Sequence, residues 1–431
     1  MIPLTWKHVE TQSDRDFVVA PDERLGWART IGIGAQHVVA MFGATFLVPV
    51  LTGFPPATTL LFSGVGTVLF LLITGNRLPS YLGSSFSVIA PVTAAMASHG
   101  TGSALGGLVA VGVVLIIIGV TVHLVGTHWI DATLPPVVTG AIVALIGFNL
   151  APAAKSNFEK GPLVGLVTLV LLVATLAFFR GIVGRLAIFL AVVAGYVLAL
   201  ILGDVDTSAI AAAPWLGLPH FQTPTFTVAV LPMFLPAVIA LVAENIGHVK
   251  SVGQMTDTDV DPVIGRRRGG DDVGGLRRRL GDHHLRREHR CDGRDAGVFD
   301  GRVLDRRRGA IALSLCPKVG AAISAIPPGV LGGATVVLYG LVGVLGVRIW
   351  LTNDVDFSKP LNQMTAAIPL IIGIADFTWQ AGDLTFTGIA LGSIAALLVY
   401  HGMRLLGFRS AGARARARAH SGAADPSTEH R

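Results

Sequence analysis

Charge is what this sequence has least of. Asp, Glu, Lys and Arg make up 14% of its 431 residues, while apolar types make up 52%. That balance leaves too little polar surface for a water-soluble fold of this length. Cysteine is scarce as well. Cys291 and Cys316 are the only two, which excludes a disulfide framework, and Cys316 reads as a small apolar residue near a helix end. No nucleophile stands paired with a base, so the chain does not read as an enzyme. Met1 to Arg29 holds Lys7, Asp14, Arg15, Asp16, Asp22, Glu23 and Arg24 ahead of any apolar run. A cleavable secretory signal would instead place an apolar stretch directly behind a few basic residues. Residues 1–29 are therefore expected to be a cytoplasmic tail, with the first span serving as both address and mature structure.

What the sequence does have is a succession of apolar runs near the ~20 residues that a helix needs to cross a bilayer. Ile31–Leu51, Ala104–Val125, Leu163–Phe179 and Leu186–Leu202 are examples. The pattern predicts an all-α polytopic membrane protein over residues 30–406. Its spans lie near 30–51, 57–75, 83–98, 104–126, 134–152, 162–179, 185–203, 227–247, 309–326, 328–347, 361–375 and 384–404. Arg77, Arg180 and Arg185 fall in one set of loops, and the long loop from Gly203 to Thr227 carries Asp204 and Asp206 with no Lys or Arg. Basic residues stay on the cytoplasmic side, so both termini are expected inside. The basic tail at 407–431, with Arg409, Arg414, Arg416 and Arg418, fits the same rule better than it fits nucleic-acid binding.

Two spans carry chemistry. The third begins Pro79-Ser80-Tyr81-Leu82-Gly83-Ser84-Ser85-Phe86-Ser87, rich in helix breakers. At membrane depth such backbone is tolerated only where protein covers it or it lines a cavity, and broken spans mark transporter binding sites. The competing reading is a loop before a shorter helix. The eighth span ends Ala243-Glu244-Asn245-Ile246-Gly247-His248. A carboxylate at the inner end of an apolar run is costly and functional by default. Glu244 and His248 stand four apart, on one helix face, and suit hydrogen bonding to a polar ring and proton exchange. Side chains near a span end also snorkel to water, so an interfacial pair is the alternative. Gln36-His37 in the first span is either a polar partner or an internal helix contact.

One stretch departs from this plan. From Arg266 to Arg308 there are fourteen arginines and no lysine, and apolar sequence resumes at Ala310. It reads as a basic loop, as a metal module around His283, His284, His289 and Cys291, or as a GC-rich coding segment translated out of frame. Closed ligand geometry and regular ligand spacing, the marks of a zinc site, are missing. Reading permitted codons for Gly281–Arg290 one base over gives Ala-Thr-Thr-Thr-Tyr-Ala-Glu-Asn-Ile-Gly. That run contains the same five residues found at Ala243–Gly247. The frame-shift reading is preferred.

Taken with Gln36–Thr45, Tyr81–Phe86, Pro135–Gly140 and Val337–Gly340, these motifs resemble the nucleobase–cation symporter family of uracil, xanthine and ascorbate permeases, above all its bacterial uracil/pyrimidine members. The resemblance runs from about Val18 to Leu406, except Arg266–Arg308. It implies a fourteen-span fold of two inverted seven-span repeats, with short strands in broken spans 3 and 10. It also implies proton symport of a nucleobase in the bacterial inner membrane, the proton as coupling ion with no cofactor, and compatibility with a homodimer. Ser85 and Phe86 would form the strand of span 3, Ala44 and Tyr339 would line the pocket, and Glu244 would hold ring N–H groups. His248 and His37 would serve proton coupling. The second glutamate motif of the family exists here only in the shifted frame, beneath Leu285–Arg290, so Glu288 is not carried over. A purine permease, an anion transporter of the same fold and an inactive frame-shifted product are the alternatives.

Overall fold

The computed structural model describes residues 7–8, 23–24, 42–73, 83–126, 128–256, 313–382 and 384–421. Two short strands near the N-terminus, β1 (Lys7–His8) and β2 (Glu23–Arg24), pair in parallel. A π-helical turn, Gly43–Leu47, leads into α1 (Val48–Thr52). Then follow α2 (Pro56–Ile73) and a 3-10 turn, Phe86–Val88, that opens α3 (Ile89–Val125). After α4 (His128–Thr133) come α5 (Pro136–Asn149), α6 (Ala151–Glu159), α7 (Pro162–Phe178), α8 (Ile182–Arg185) and α9 (Ala187–Leu202). The chain continues through α10 (Ser208–Ala212), α11 (Leu231–Thr256), α12 (Pro317–Ser324), α13 (Pro328–Thr352) and α14 (Pro360–Ile374). An antiparallel hairpin, β3 (Trp379–Ala381) and β4 (Leu384–Phe386), precedes α15 (Gly388–Ser421).

Local chemistry sets many of these boundaries. Pro136, Pro162, Pro317, Pro328 and Pro360 each open a helix, where the missing N–H has no partner to lose and φ is already helical. Gly53 (φ 78°) and Gly203 (φ 81°) close α1 and α9 in the left-handed conformation, which costs glycine nothing. Among the described residues, four helical stretches are long and apolar enough to cross a membrane: Phe86–Val125, Pro136–Glu159, Pro328–Thr352 and Gly388–Gly407. Their outward residues, such as Ile116, Val120, Leu345 and Leu398, are exposed and apolar, as lipid-facing surface requires.

The third and fourth expected spans are two helices within α3 that meet at a kink, Gly100 (φ 80°, ψ 173°). The expected spans are corrected in two places. The fifth runs on through α6 to Glu159. The segment expected to begin the last span at 384 is instead the second strand of the hairpin, because Gly382 (φ 62°) turns the chain there. The basic tail stays helical to Ser421.

The helices pack as two bodies. α5, α6, α7, α9, α13, α14 and α15 contact one another, and α1, α2, α3, α11 and α12 form a second group. Within the first body α13 lies directly against α5. A Cβ on Gly147 would strike the Gly343 nitrogen and approach the Tyr339 carbonyl oxygen at 2.7 Å, so only small residues permit this approach. The bodies meet where α11 touches α5, α15 and β4. They also meet where Phe42 and Phe46 pack beside Val192, Val330 and Leu338.

Candidate functional site

The beginning of α3 is where the helix breaks. Ser85 is extended (φ −86°, ψ 141°) and its Oγ accepts a 3.2 Å hydrogen bond from the Ser87 backbone N–H. This side-chain cap satisfies one of the donors left over at a helix start. The same hydroxyl donates to Glu244 Oε2 on α11 at 2.9 Å, a charge-assisted contact. One serine therefore holds the start of α3 and the carboxylate of α11 together across 159 residues of sequence. Glu244 is half-buried. Its second oxygen has no protein partner among the described residues, which leaves an acceptor for a ligand N–H.

Phe86 is the next residue, half-buried, and packs against the cluster of Val48, Ile89, Leu150, Ala154 and Tyr339. Tyr339 lies on α13 and is 3% exposed. Phe86, next in sequence to the serine that holds Glu244, thus packs against a buried tyrosine from the other body. Ala44 lies inside the π-helical turn of the first span, a geometry often found at functional sites. His248 lies on α11, one turn past Glu244; its side chain, like that of Ala44, is outside the described set. His37 and the Arg266–Arg308 stretch also lie outside the described residues.

Several features carried no sequence signal. Thr45 in the π-helical turn and Ser393 on α15 bury their hydroxyls without a hydrogen bond among the described residues. Asp376, at φ 50°, accepts from the Gly388 N–H at 3.2 Å and from Asn149 Nδ2 at 3.5 Å, while Asn149 Nδ2 also donates to the Gly373 carbonyl at 2.6 Å. These bonds tie the ends of α5, α14 and α15 together. A cavity of ≈ 540 Å³ lies between α1, α2 and α3, reaching Gly83 and Ser84 below and His220, Phe221 and Gln222 above. Outside the spans, hydrogen bonds from Ser358 hold the Asp356 carboxyl below the usual carboxylate range, and those from Ser208 do the same for Asp206.

A family model described as a permease family matches residues 28–271 and 309–382. The interval it passes over falls within the arginine-rich stretch. RutG of Escherichia coli (strain K12), provisionally named a pyrimidine permease, is 40% identical over 91% of this chain and 93% of its own length. The uracil permease of Paenibacillus larvae is 34% identical over 89% of this chain and 96% of its own. The uracil permease of Escherichia coli (strain K12) is 34% identical over 88% and 92%. The resemblance read from the motifs is thereby borne out, and the chain belongs to this permease family, a membrane transporter and not an enzyme.

Proposed function

We propose that the protein imports a nucleobase, uracil or a related pyrimidine, by proton symport. It does so on fourteen spans in two inverted repeats, in the bacterial inner membrane with both termini cytoplasmic. The observation that carries this reading is the Ser85–Glu244 hydrogen bond, made at the break of α3 beside Phe86, which packs against Tyr339. Glu244 accepts from ring N–H groups through its free oxygen, Phe86 offers a face for stacking, and Ala44 and Tyr339 close the pocket. Protonation of Glu244, relayed through His248 and His37, couples transport to the proton gradient. A site at the junction of two helix bodies, on a discontinuous span, is where alternating access places substrate. The names of the relatives favour uracil or another pyrimidine over purines. A carboxylate in the pocket disfavours an anion.

The stretch 266–308 is read as an out-of-frame replacement for span 10, which removes the second carboxylate motif. The interruption of the family match over 272–308 supports this reading. The test is uptake of labelled uracil by a permease-deficient bacterium carrying the frame-corrected gene. Uptake that collapses with a proton uncoupler is expected. Uptake indifferent to the uncoupler rejects proton symport, and no uptake of any nucleobase rejects the substrate class.

A further inference from the structure

The loop between α9 and α11 joins the two helix bodies. Its first residues bond back to α9, where Asp204 N–H meets the Ala199 carbonyl at 2.9 Å, and beyond Thr207 its bonds to other elements fall on one side only. Thr225 N–H donates to the Gly102 carbonyl at 2.9 Å, and Ser103 Oγ lies 2.9 Å from Thr227 Oγ1. Both contacts are to α3. Thr58 Oγ of α2 donates to the His220 carbonyl at 2.7 Å. Gly217 N–H donates to the Leu315 carbonyl at 3.0 Å, and Lys318 N–H on α12 to the Pro214 carbonyl at 3.2 Å. The Lys318 ammonium sits 4.8 Å from the centre of the Trp215 ring, a cation–π contact. Phe221 meets Phe62 of α2 edge-on at 6.2 Å. A Cβ on Gly106 would collide with the Thr225 carbonyl oxygen, and one on Gly102 would lie 2.8 Å from Thr225 Oγ1; α3 is bare where the loop crosses it. Among the described residues, no hydrogen bond runs from 208–227 to the body of α5, α6, α7, α9, α13, α14 and α15.

We infer that residues 208–227 are a strap belonging to the body of α1, α2, α3, α11 and α12, so that Gly203–Thr207 is the outer hinge between the bodies. The hinge starts at a glycine with φ 81°, which swivels without steric cost. Near its far end the Asp206 carboxylate accepts from the Ser208 N–H at 2.8 Å and fixes the start of α10. α10 in turn packs on α12. Five residues thus take up the angular change of a transport cycle, while the strap above them moves as part of one body, a hinge of the usual short kind. The strap also roofs the cavity over Gly83 and Ser84 through His220, Phe221 and Gln222, so this roof travels with the body that carries Ser85 and Glu244.

Two measurements on the full chain in lipid nanodiscs test this, and neither needs transport. In hydrogen exchange, the amides of Gly217 and Thr225 are expected to exchange as slowly as those of α3, and the Val205–Thr207 amides faster. Equal rates at Thr225 and Thr207 would overturn the proposal. Gly106→Ala should lift the strap and speed exchange at Thr225 by about tenfold. If that variant does not fold, Ser103→Ala, which removes a hydroxyl without adding bulk, should give about fivefold. An unchanged rate in the folded variants counts against the strap. Spin labels at Gln222, His99 on α3 and Lys155 on α6 give the geometry. A narrow 222–99 distance with a broad 222–155 distance is expected. A broad 222–99 distance, or narrow distributions for both pairs, overturns the hinge.

Discussion

At the scale of single residues, Ser85 does two jobs with one hydroxyl, accepting from Ser87 and donating to Glu244. Both depend on its extended backbone, because a helical Ser85 would aim its side chain elsewhere. Replacing it by alanine leaves Glu244 in place but frees its carboxylate to rotate. A hydrogen bond to a charged group contributes about 1.5–3 kcal/mol, so Ser85→Ala in the frame-corrected protein is expected to weaken uracil binding roughly tenfold or more. Ser85→Thr keeps the hydroxyl and should restore most of the loss. The measurement is a binding titration of the purified variants. Equal affinity of Ser85→Ala and the parent would mean that the bond does not orient Glu244. The sequence made Glu244 legible because a carboxylate in an apolar run is conspicuous. It made Ser85 legible only through the resemblance, since nothing in a Gly-Ser-Ser-Phe run says which hydroxyl turns toward a helix 159 residues away.

At the scale of elements, the site depends on how closely α5 and α13 approach, because α13 carries Tyr339. The contact is made through Gly147 and Gly343. Gly147→Val inserts bulk against the α13 backbone and is expected to push α13 outward, at about 1–3 kcal/mol for overpacking. The thermal midpoint in detergent should fall, and uracil binding by the frame-corrected protein should weaken with it. Gly112→Val on α3, which faces open space, is the matched control and should change neither. A midpoint as high for Gly147→Val as for the control would show that the approach is not tight. Most spans were legible because apolar runs of span length are strong signals, as in α7 and α9. The hairpin of β3 and β4 was not, because Leu384–Phe386 is as apolar as the helix after it and its pairing depends on a partner strand. The third and fourth spans were legible as two helices, but the positive φ of the Gly100 that joins them was not, because neither hydropathy nor spacing encodes that angle.

At the scale of the whole molecule, the end of α11 and the start of α12, the described helices that flank the arginine-rich stretch, stand on opposite sides. α11 begins just past the strap and runs 26 residues to Thr256. At 1.5 Å per residue that is about 39 Å, more than the ~30 Å hydrocarbon layer. α12 lies back at the level of the strap, where Lys318 N–H meets the Pro214 carbonyl. A connection from one to the other has to cross the layer an odd number of times, and in this sequence it contains fourteen arginines between Arg266 and Arg308. Each costs roughly 2.5–3.5 kcal/mol at the centre of a helix on insertion scales, a sum that no packing within one span offsets. The shifted reading, rich in Ala, Thr, Gly and Ser, removes that conflict and returns a second Ala-Glu-Asn-Ile-Gly. The chain as it stands is therefore expected to keep the arginines in water, which leaves the required crossing unmade. In a Cys316→Ala variant, Cys291 is then the single thiol, and a membrane-impermeant maleimide should label it in inside-out vesicles, where the basic side of the protein faces out. Protection of Cys291 in both vesicle orientations until detergent is added would mean that the stretch enters the bilayer despite its charge, and the out-of-frame reading would lose its physical basis.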